Sequence, residues 1–555
     1  MSLTSLTSIT SSEAITSEKR IMKTNKIMIF GALLLMLSVT SCREDSDKLM
    51  TYDHLDTTSF EKANESFAEK FKVAWNGLNQ NYALWDYEAE FGLDWDAVYD
   101  EYLPQFEALD KKETVTDDEV LALMAKAFSP LHDGHMAVIF NNHKTGTKEI
   151  MFNPNGERVK TRDDYQIATT CQPSLKYYSQ VANGEVETDS QGNPRVKEYS
   201  TTVSDLMKAV LENPGEGLDW VNTKIAELSA LSAPTAAQTA RLDSLQSLKT
   251  AIEAIDLKQL NTSTASIFIN QFNTLAKQYA SLQVPALNYI DPNFTEFGMR
   301  VKFALLKGNI AYFYYSKHRL TPYMIDVVAA QYFNMNEPMM KKHVQGIKDV
   351  WAEWFSTVQQ LHKDGKLGGV ILDLRGNGGG MKSDAGFIVG SLLPEGGAPF
   401  GYSRVKRGTG RFDYSTLALN SVVTMLDDEH ESITEPVVVM TNCMSLSMSE
   451  ITTSVVRNME NGTHIGKRSM GGICELSPTN DTFSEDYMGH IGERYKTPVY
   501  IYLPRVATFT LKEKKIVEGI GIQPDIEVNL DEAKFKATGQ DTQLDRALQF
   551  LRTGN

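Results

Sequence analysis

An α/β core behind an N-terminal helical domain is what the sequence predicts, on three observations. Beyond Val301, short β-rich runs (Asn309 to Tyr315, Gly369 to Leu374, Pro436 to Met440, Pro498 to Tyr502) alternate with helical stretches such as Met339 to Leu361 and Glu450 to Met459, the rhythm of a sheet flanked by helices. From Phe60 to Phe128 apolar residues recur instead at helical spacing, with no strand signal between them. The chain has 555 residues, 42% hydrophobic and 23% charged, ordinary globular values on a length that can bury a large core.

In chain order, Lys23 and Lys26 precede an apolar run from Ile27 to Leu37, and Ser38 to Cys42 follow. A basic start, a short apolar stretch and small residues mark a secretory signal, and the run is too short to span a bilayer comfortably. Val39-Thr40-Ser41-Cys42 resembles a bacterial lipobox, which implies cleavage before Cys42 and lipidation of its thiol. Arg43-Glu44-Asp45 resembles the acidic signals of Bacteroidetes surface lipoproteins. The expectation is a leader over 1–41, a tether over 42–52, and an outer-membrane lipoprotein in the cell envelope, periplasmic or surface-exposed.

The helical domain spans 53–140. Phe67, Phe71, Trp75 and Leu78 are spaced four, four and three apart, and Trp95 to Phe106 and Asp117 to Ala127 continue the pattern. Acidic residues at Asp117, Asp118 and Glu119 suit a first helical turn. Within a segment spanning 141–300, residues 141–200 read as short strands and loops, with turn pairs such as Asn155-Gly156, and a helical hairpin is inserted after them. In that hairpin Ile225, Leu228 and Leu231 face Leu242, Leu245, Leu248, Ile252 and Ile255 across Pro234. The core is expected over 301–545.

Charge and cysteine content narrow the function classes. Lys plus Arg number 55 against 71 Asp plus Glu, a formal net charge of −16. Such a surface repels nucleic-acid phosphates, and removing the basic leader makes the remainder more acidic. With Cys42 acylated, Cys171, Cys443 and Cys474 remain, an odd number that gives no disulfide framework. No Cys-x-x-Cys is present, so thiol chemistry and a zinc ribbon have no support.

Four segments could carry chemistry. Gly369 to Gly380 is an apolar strand running into Arg375-Gly376-Asn377-Gly378-Gly379-Gly380. Glycines at a strand end let backbone N–H groups approach a ligand unobstructed. Met381 stands where either a dinucleotide fingerprint or a P-loop needs glycine, so neither nucleotide motif holds. Val437 to Glu450 is a strand, a turn with Ser445, Ser447 and Ser449, and a helix start; that position offers unpaired amides and a positive dipole end, although Ser447 with Glu450 also reads as a capping box. Glu518-Gly519-Ile520-Gly521-Ile522-Gln523-Pro524-Asp525 reads by itself as a turn and a strand. Leu131-His132-Asp133-Gly134-His135 offers two histidines, as metal ligands lacking a third partner, as a positioned base, or as surface groups.

The order of these segments is more informative than any one of them. It resembles the serine-peptidase family of C-terminal processing (tail-specific) proteases and the tricorn core, over roughly Val301 to Leu530 with Asp133-Gly134-His135 extending it. The resemblance implies a ClpP/crotonase-like catalytic fold and a nucleophile three residues before the glutamate of Ser-x-Ser-Glu, which is Ser447. In the processing-protease branch a lysine in Gly-Lys-Gly serves as base, but this chain has Ser469-Met470-Gly471-Gly472 there and Lys467 is misplaced. The tricorn and retinoid-binding-protein-like branch takes a histidine from the N-terminal segment and a glutamate near the C-terminus, positions matched by His135 and Glu518. No clear PDZ pattern appears between 141 and 300.

The expected function is therefore an exported, lipid-anchored serine endopeptidase acting on proteins or peptides through Ser447, His135 and Glu518. The oxyanion hole is expected from the Met448 amide with that of Gly379 or Gly380. No cofactor, metal or nucleic-acid partner is implied. A catalytically silent lipoprotein that binds peptides or small molecules, and an esterase on the same triad, are the alternatives.

Overall fold

The computed structural model describes residues 57–555 apart from 181–182, 201–206, 208–214, 257–264, 288–289, 291–297, 334, 336–337, 409, 427–429 and 477–488. The leader, the tether and Cys42 lie outside the described residues. At the amino end, helices Phe67–Asn81, Trp95–Asp110 and Asp117–Phe128 form where the apolar spacing predicts them. The last is started by a capping box in which Thr116 and Glu119 satisfy each other's amides. Phe71 stacks on Phe106 with centroids 4.7 Å apart, closing a shared aromatic core.

The centre is a seven-stranded sheet. Its strands run, in spatial order, Ile526–Glu527, Gly462–Gly466, Val437–Thr441, Gly369–Asp373, Ile310–Tyr315, Arg300–Leu306 and Val196–Ser200. The first five are parallel, and the last two add antiparallel. Every residue of Gly369–Asp373 and Val437–Thr441 is buried, as a parallel sheet covered on both faces demands. Strand alternation sorts the side chains between two cores. Phe303, Phe313, Val370, Leu372, Val437 and Val439 pack with Trp351, Trp354 and Val358 of helix Pro338–Lys363. Ala304, Tyr312, Ile371, Val438 and Met440 pack with Leu544, Ala547 and Leu548 of helix Thr542–Thr553.

Two smaller sheets were less legible. One pairs Ala137–Asn142 with Thr147–Phe152 and, across the molecule, with Val499–Tyr502. The other consists of Val506–Thr510, Ala398–Val405 and Ala418–Val422. The hairpin helices Gly217–Ser229 and Ala236–Glu253 are present, the second capped by Thr235. The reading of 141–200 as strands and loops alone needs correction: Pro154–Lys160 and Tyr165–Thr170 are helices. Asn153 caps the first through the Gly156 amide, with Pro154 in its first turn, so Asn155-Gly156 begins a helix rather than forming a free turn. Cys171, Cys443 and Cys474 are free and buried. Among the described residues no helix is long and apolar enough to cross a membrane.

Candidate active site

Strands Gly369–Asp373 and Val437–Thr441 are parallel neighbours, so their carboxyl ends deliver the glycine loop and the serine turn to the same edge, where open α/β sheets place their sites. Three serines occupy that turn, and their hydroxyls differ in what they do. Ser445 is fully buried and its hydroxyl donates to the Leu374 carbonyl at 2.8 Å. Ser449 is fully buried and donates to the Asn377 carbonyl at 2.8 Å. Both thus rivet the serine turn to the glycine loop, and Ser447, part-exposed between them, is left for chemistry.

Ser447 has φ 61° and ψ −119°, a conformation that a non-glycine residue adopts at a cost of about 1–3 kcal/mol. It stands immediately before helix Met448–Asn458, in a strand–strained-turn–helix arrangement that exposes a hydroxyl over a helix N-terminus. The turn is held by Glu450. As a capping box requires, its carboxylate accepts from the Ser447 amide, at 3.2 Å. Its shorter bonds, however, come from the Ser469 hydroxyl (2.6 Å), the Gly471 amide (2.9 Å) and the Gly472 amide (2.6 Å). Burial, with a smaller push from Glu518, raises the Glu450 carboxyl to about 7.

The glycine loop presses against this turn. A Cβ on Gly379, whose φ is +86°, would stand 2.5 Å from Ser447 Cβ and 2.9 Å from the Met448 nitrogen. Of the expected oxyanion donors, the Gly379 amide is already engaged, donating to Asn377 Oδ1 at 2.9 Å. Among the described residues the Gly380 and Met448 amides donate to no protein acceptor. Those two are the donors available to a developing negative charge.

The histidine arrives from more than 300 residues away. A Cβ on Gly134 would lie 2.2 Å from both the Gly471 carbonyl oxygen and Gly472 Cα, so Asp133-Gly134-His135 rests on the loop that Glu450 holds. The Glu518 carboxylate accepts from the Gly134 amide on one oxygen and from the Cys474 amide on the other, both at 2.9 Å. Its Oε1 lies 3.8 Å from His135 Nδ1. Tyr87, on helix Trp85–Glu90, donates to the Glu518 carbonyl at 2.5 Å. The N-terminal helices therefore help to hold the acid's backbone. His132 is turned aside: its Nδ1 is 3.0 Å from Glu88, and Phe91 stacks on its ring.

Asp133 is the acid that sequence reasoning left without a role. Its Oδ1 accepts from the His135 and Met136 amides at 2.8 and 2.9 Å, fixing the backbone that carries the imidazole. Burial first, and the Glu518 charge second, push its carboxyl well above the ordinary range. One ligand atom from each of Asp133, His135 and Glu518 lies within 4.8 Å of the others, the one grouping among the described residues with the spacing of a metal site. Lys467, the displaced alternative base, is engaged elsewhere, its Nζ 2.6 Å from Glu527 and 2.9 Å from Asn529. The loop that replaces the lysine element is backed by helix Pro154–Lys160 and the turn after it. Asn155 Nδ2 lies 3.3 Å from the Met470 carbonyl, and Arg162 donates to the Ser469 and Arg468 carbonyls at 2.7 and 2.6 Å.

Residues 335–528, which include the glycine loop, the serine turn and Glu518, match the model of peptidase family S41. That segment is similar to peptidase family S41, and the chain is a serine-type peptidase. Among solved structures, the peptidase is similar to a protein of Parabacteroides merdae ATCC 43184 that bears a provisional peptidase name, at 15% identity over 88% of this chain and 98% of that one, with a TM-score of 0.43. It is similar to mature CPAF complexed with lactacystin at 10% identity over 89% and 100%, TM-score 0.43, and to the photosystem II D1 C-terminal processing protease at 17% over 40% and 42%, TM-score 0.23. No curated protein matches the chain. It is the matched segment, not these structures, that carries the family.

Proposed function

We propose that the peptidase is an exported, lipid-anchored endopeptidase that cleaves peptide bonds through Ser447, His135 and Glu518. The observation that carries this reading is the convergence of three distant segments: the serine turn, the Gly471-Gly472 loop held by Glu450, and Gly134-His135 facing Glu518. Ser447 Oγ attacks the substrate carbonyl carbon while His135 Nε2 takes its proton. The carbonyl oxygen becomes an oxyanion received by the Met448 and Gly380 amides. His135 then returns the proton to the leaving amine, and a water repeats the sequence to release the acyl group. Glu518, oriented by two backbone amides, keeps the proton on Nδ1 and stabilises the imidazolium. The 3.8 Å gap between them shortens by roughly 1 Å as the imidazolium forms.

Anchoring through Cys42 follows from the lipobox-like Val39-Thr40-Ser41-Cys42 and from the basic and apolar run before it. The test is expression of the full chain with and without Cys42→Ala: a membrane fraction and a lipid-sized mass increment are expected only with cysteine present. For the reaction, Ser447→Ala is expected to abolish cleavage of a denatured protein substrate. Peptide binding without turnover by the unaltered chain would contradict the proposal.

A further inference from the structure

We propose that His318 is a positioning residue for the oxyanion cradle, a buried imidazole that ties the glycine loop to the nucleophile helix and so sets the spacing of the Gly380 and Met448 amides. The proposal deepens the triad reading and rests on it. His318 follows strand Ile310–Tyr315 and is wholly buried. Its backbone brackets Gly380: the His318 amide donates to the Gly379 carbonyl at 2.9 Å, and its carbonyl accepts from the Met381 amide at 2.7 Å. A Cβ on Gly380 would stand 2.0 Å from that same carbonyl oxygen, so the contact is as close as glycine permits.

The ring makes the link to the helix. Nδ1 lies 3.2 Å from Asn377 Oδ1, the oxygen that also accepts the Gly379 amide. Asn377 Nδ2 donates to the Tyr315 carbonyl at 2.8 Å, so its Oδ1 is the acceptor and the His318 proton resides on Nδ1. Nε2 is then an acceptor with one lone pair, shared by the Tyr315 hydroxyl at 2.9 Å and the Thr452 hydroxyl at 3.1 Å. Thr452 stands one turn into helix Met448–Asn458, on the element whose first amide is the second oxyanion donor. One ring thus joins the loop bearing one donor to the helix bearing the other. Burial lowers the His318 pKa to about 3, so the imidazole stays neutral and keeps both its donor and its acceptor edge through the neutral range.

Donors that must sit within a fraction of an ångström of a developing charge lose most of their effect when displaced by about 1 Å, a loss on the order of 100-fold. A positioning role therefore weakens binding of the transition state and leaves binding of the ground state alone. The experiment uses the full chain and a peptide whose cleavage depends on Ser447. It measures kcat, KM, inhibition by the matching peptide boronate, which forms a tetrahedral adduct with the serine, and affinity for the product peptide. Three variants are compared: His318→Phe, which removes both edges; Thr452→Val, which cuts only the helix attachment at nearly constant shape; and His318→Gln, which restores one donor and one acceptor. Expected for His318→Phe and Thr452→Val is a fall in kcat of about tenfold to 100-fold, a matching loss of boronate affinity, and KM and product affinity within about twofold. His318→Gln is expected to regain part of the loss.

If boronate and product affinities fall together, or neither falls, in variants with native circular dichroism, the proposal is overturned. Should His318→Phe fail to fold, Thr452→Val decides the matter in the same way. If the unaltered chain neither cleaves nor binds the boronate, the triad reading itself fails, an outcome distinguishable from failure of the His318 proposal alone.

Discussion

Replacing Gly379 with alanine introduces a methyl group where the glycine loop meets Ser447. The new carbon would lie 2.5 Å from Ser447 Cβ, 2.7 Å from the Leu446 carbonyl oxygen and 2.9 Å from the Met448 nitrogen. Carbon atoms in contact sit about 3.5–4.0 Å apart, so loop and turn must separate by about 1 Å. Two of the three obstructing atoms are backbone, and no side-chain rotation relieves them. The backbone at φ +86° adds about 1–2 kcal/mol of strain for a residue with a Cβ. A 1 Å error in an active site costs on the order of 100-fold in rate, or about 3 kcal/mol of transition-state stabilisation. The expected outcome for Gly379→Ala is a kcat/KM lower by about 100-fold, with Tm lower by only about 2–6 °C. Steady-state hydrolysis of a fluorogenic peptide and a thermal melt measure both. A folded variant with kcat/KM within threefold of the unaltered chain would refute the packing of the glycine loop against Ser447.

Other perturbations separate the roles in the site. His135→Ala should remove cleavage while Lys467→Ala, whose amine is held by Glu527 and Asn529, keeps it; loss confined to the lysine variant, read by the same peptide assay, would return the enzyme to a Ser–Lys dyad. Glu518→Gln should lower kcat by about 10³- to 10⁴-fold, because an amide cannot hold the imidazole in the required tautomer; a fall below tenfold would remove Glu518 from the mechanism. Stability should depend on pH through Glu450. Its folded-state pKa of about 7 lies above the ordinary 4.5, so the folded chain binds the proton more tightly. That stabilisation is present below pH 4.5 and is lost as the pH rises through 7, a change of about 3 kcal/mol. Denaturant unfolding at pH 5 and pH 8 should show this loss, and Glu450→Gln should reduce it. An unchanged pH slope in the variant would mean that Glu450 is not the group responsible.

Where capping and periodicity agree, the amino-acid order was sufficient. Thr116 with Glu119 starts one predicted helix and Thr235 another, and strands Gly369–Asp373 and Val437–Thr441 form where the apolar runs require them. The candidate site was marked by the order of its motifs: Gly134 precedes His135, Gly519 follows Glu518, and Ser447 lies in a serine-rich turn that ends at Glu450. What holds the site together left none. His318 stands between Lys317 and Arg319, in a stretch that reads as basic surface, and only pairing to the glycine loop buries it. Glu450 reads as a local cap, whereas three of its four donors come from about 20 residues further on. Helix Pro154–Lys160 was overlooked because Asn155-Gly156 suggests a turn, although Asn153-Pro154 ahead of it was the overriding start signal. Long-range partners of polar groups depend on topology, and no local pattern encodes them.

The most direct measurement is the site of covalent modification by a fluorophosphonate, mapped by mass spectrometry on the unaltered chain and on the His135→Ala and Ser447→Ala variants. A single adduct on Ser447 is expected, formed much more slowly without His135 and absent in Ser447→Ala. An adduct on another residue, or labelling undiminished in Ser447→Ala, would contradict the triad reading.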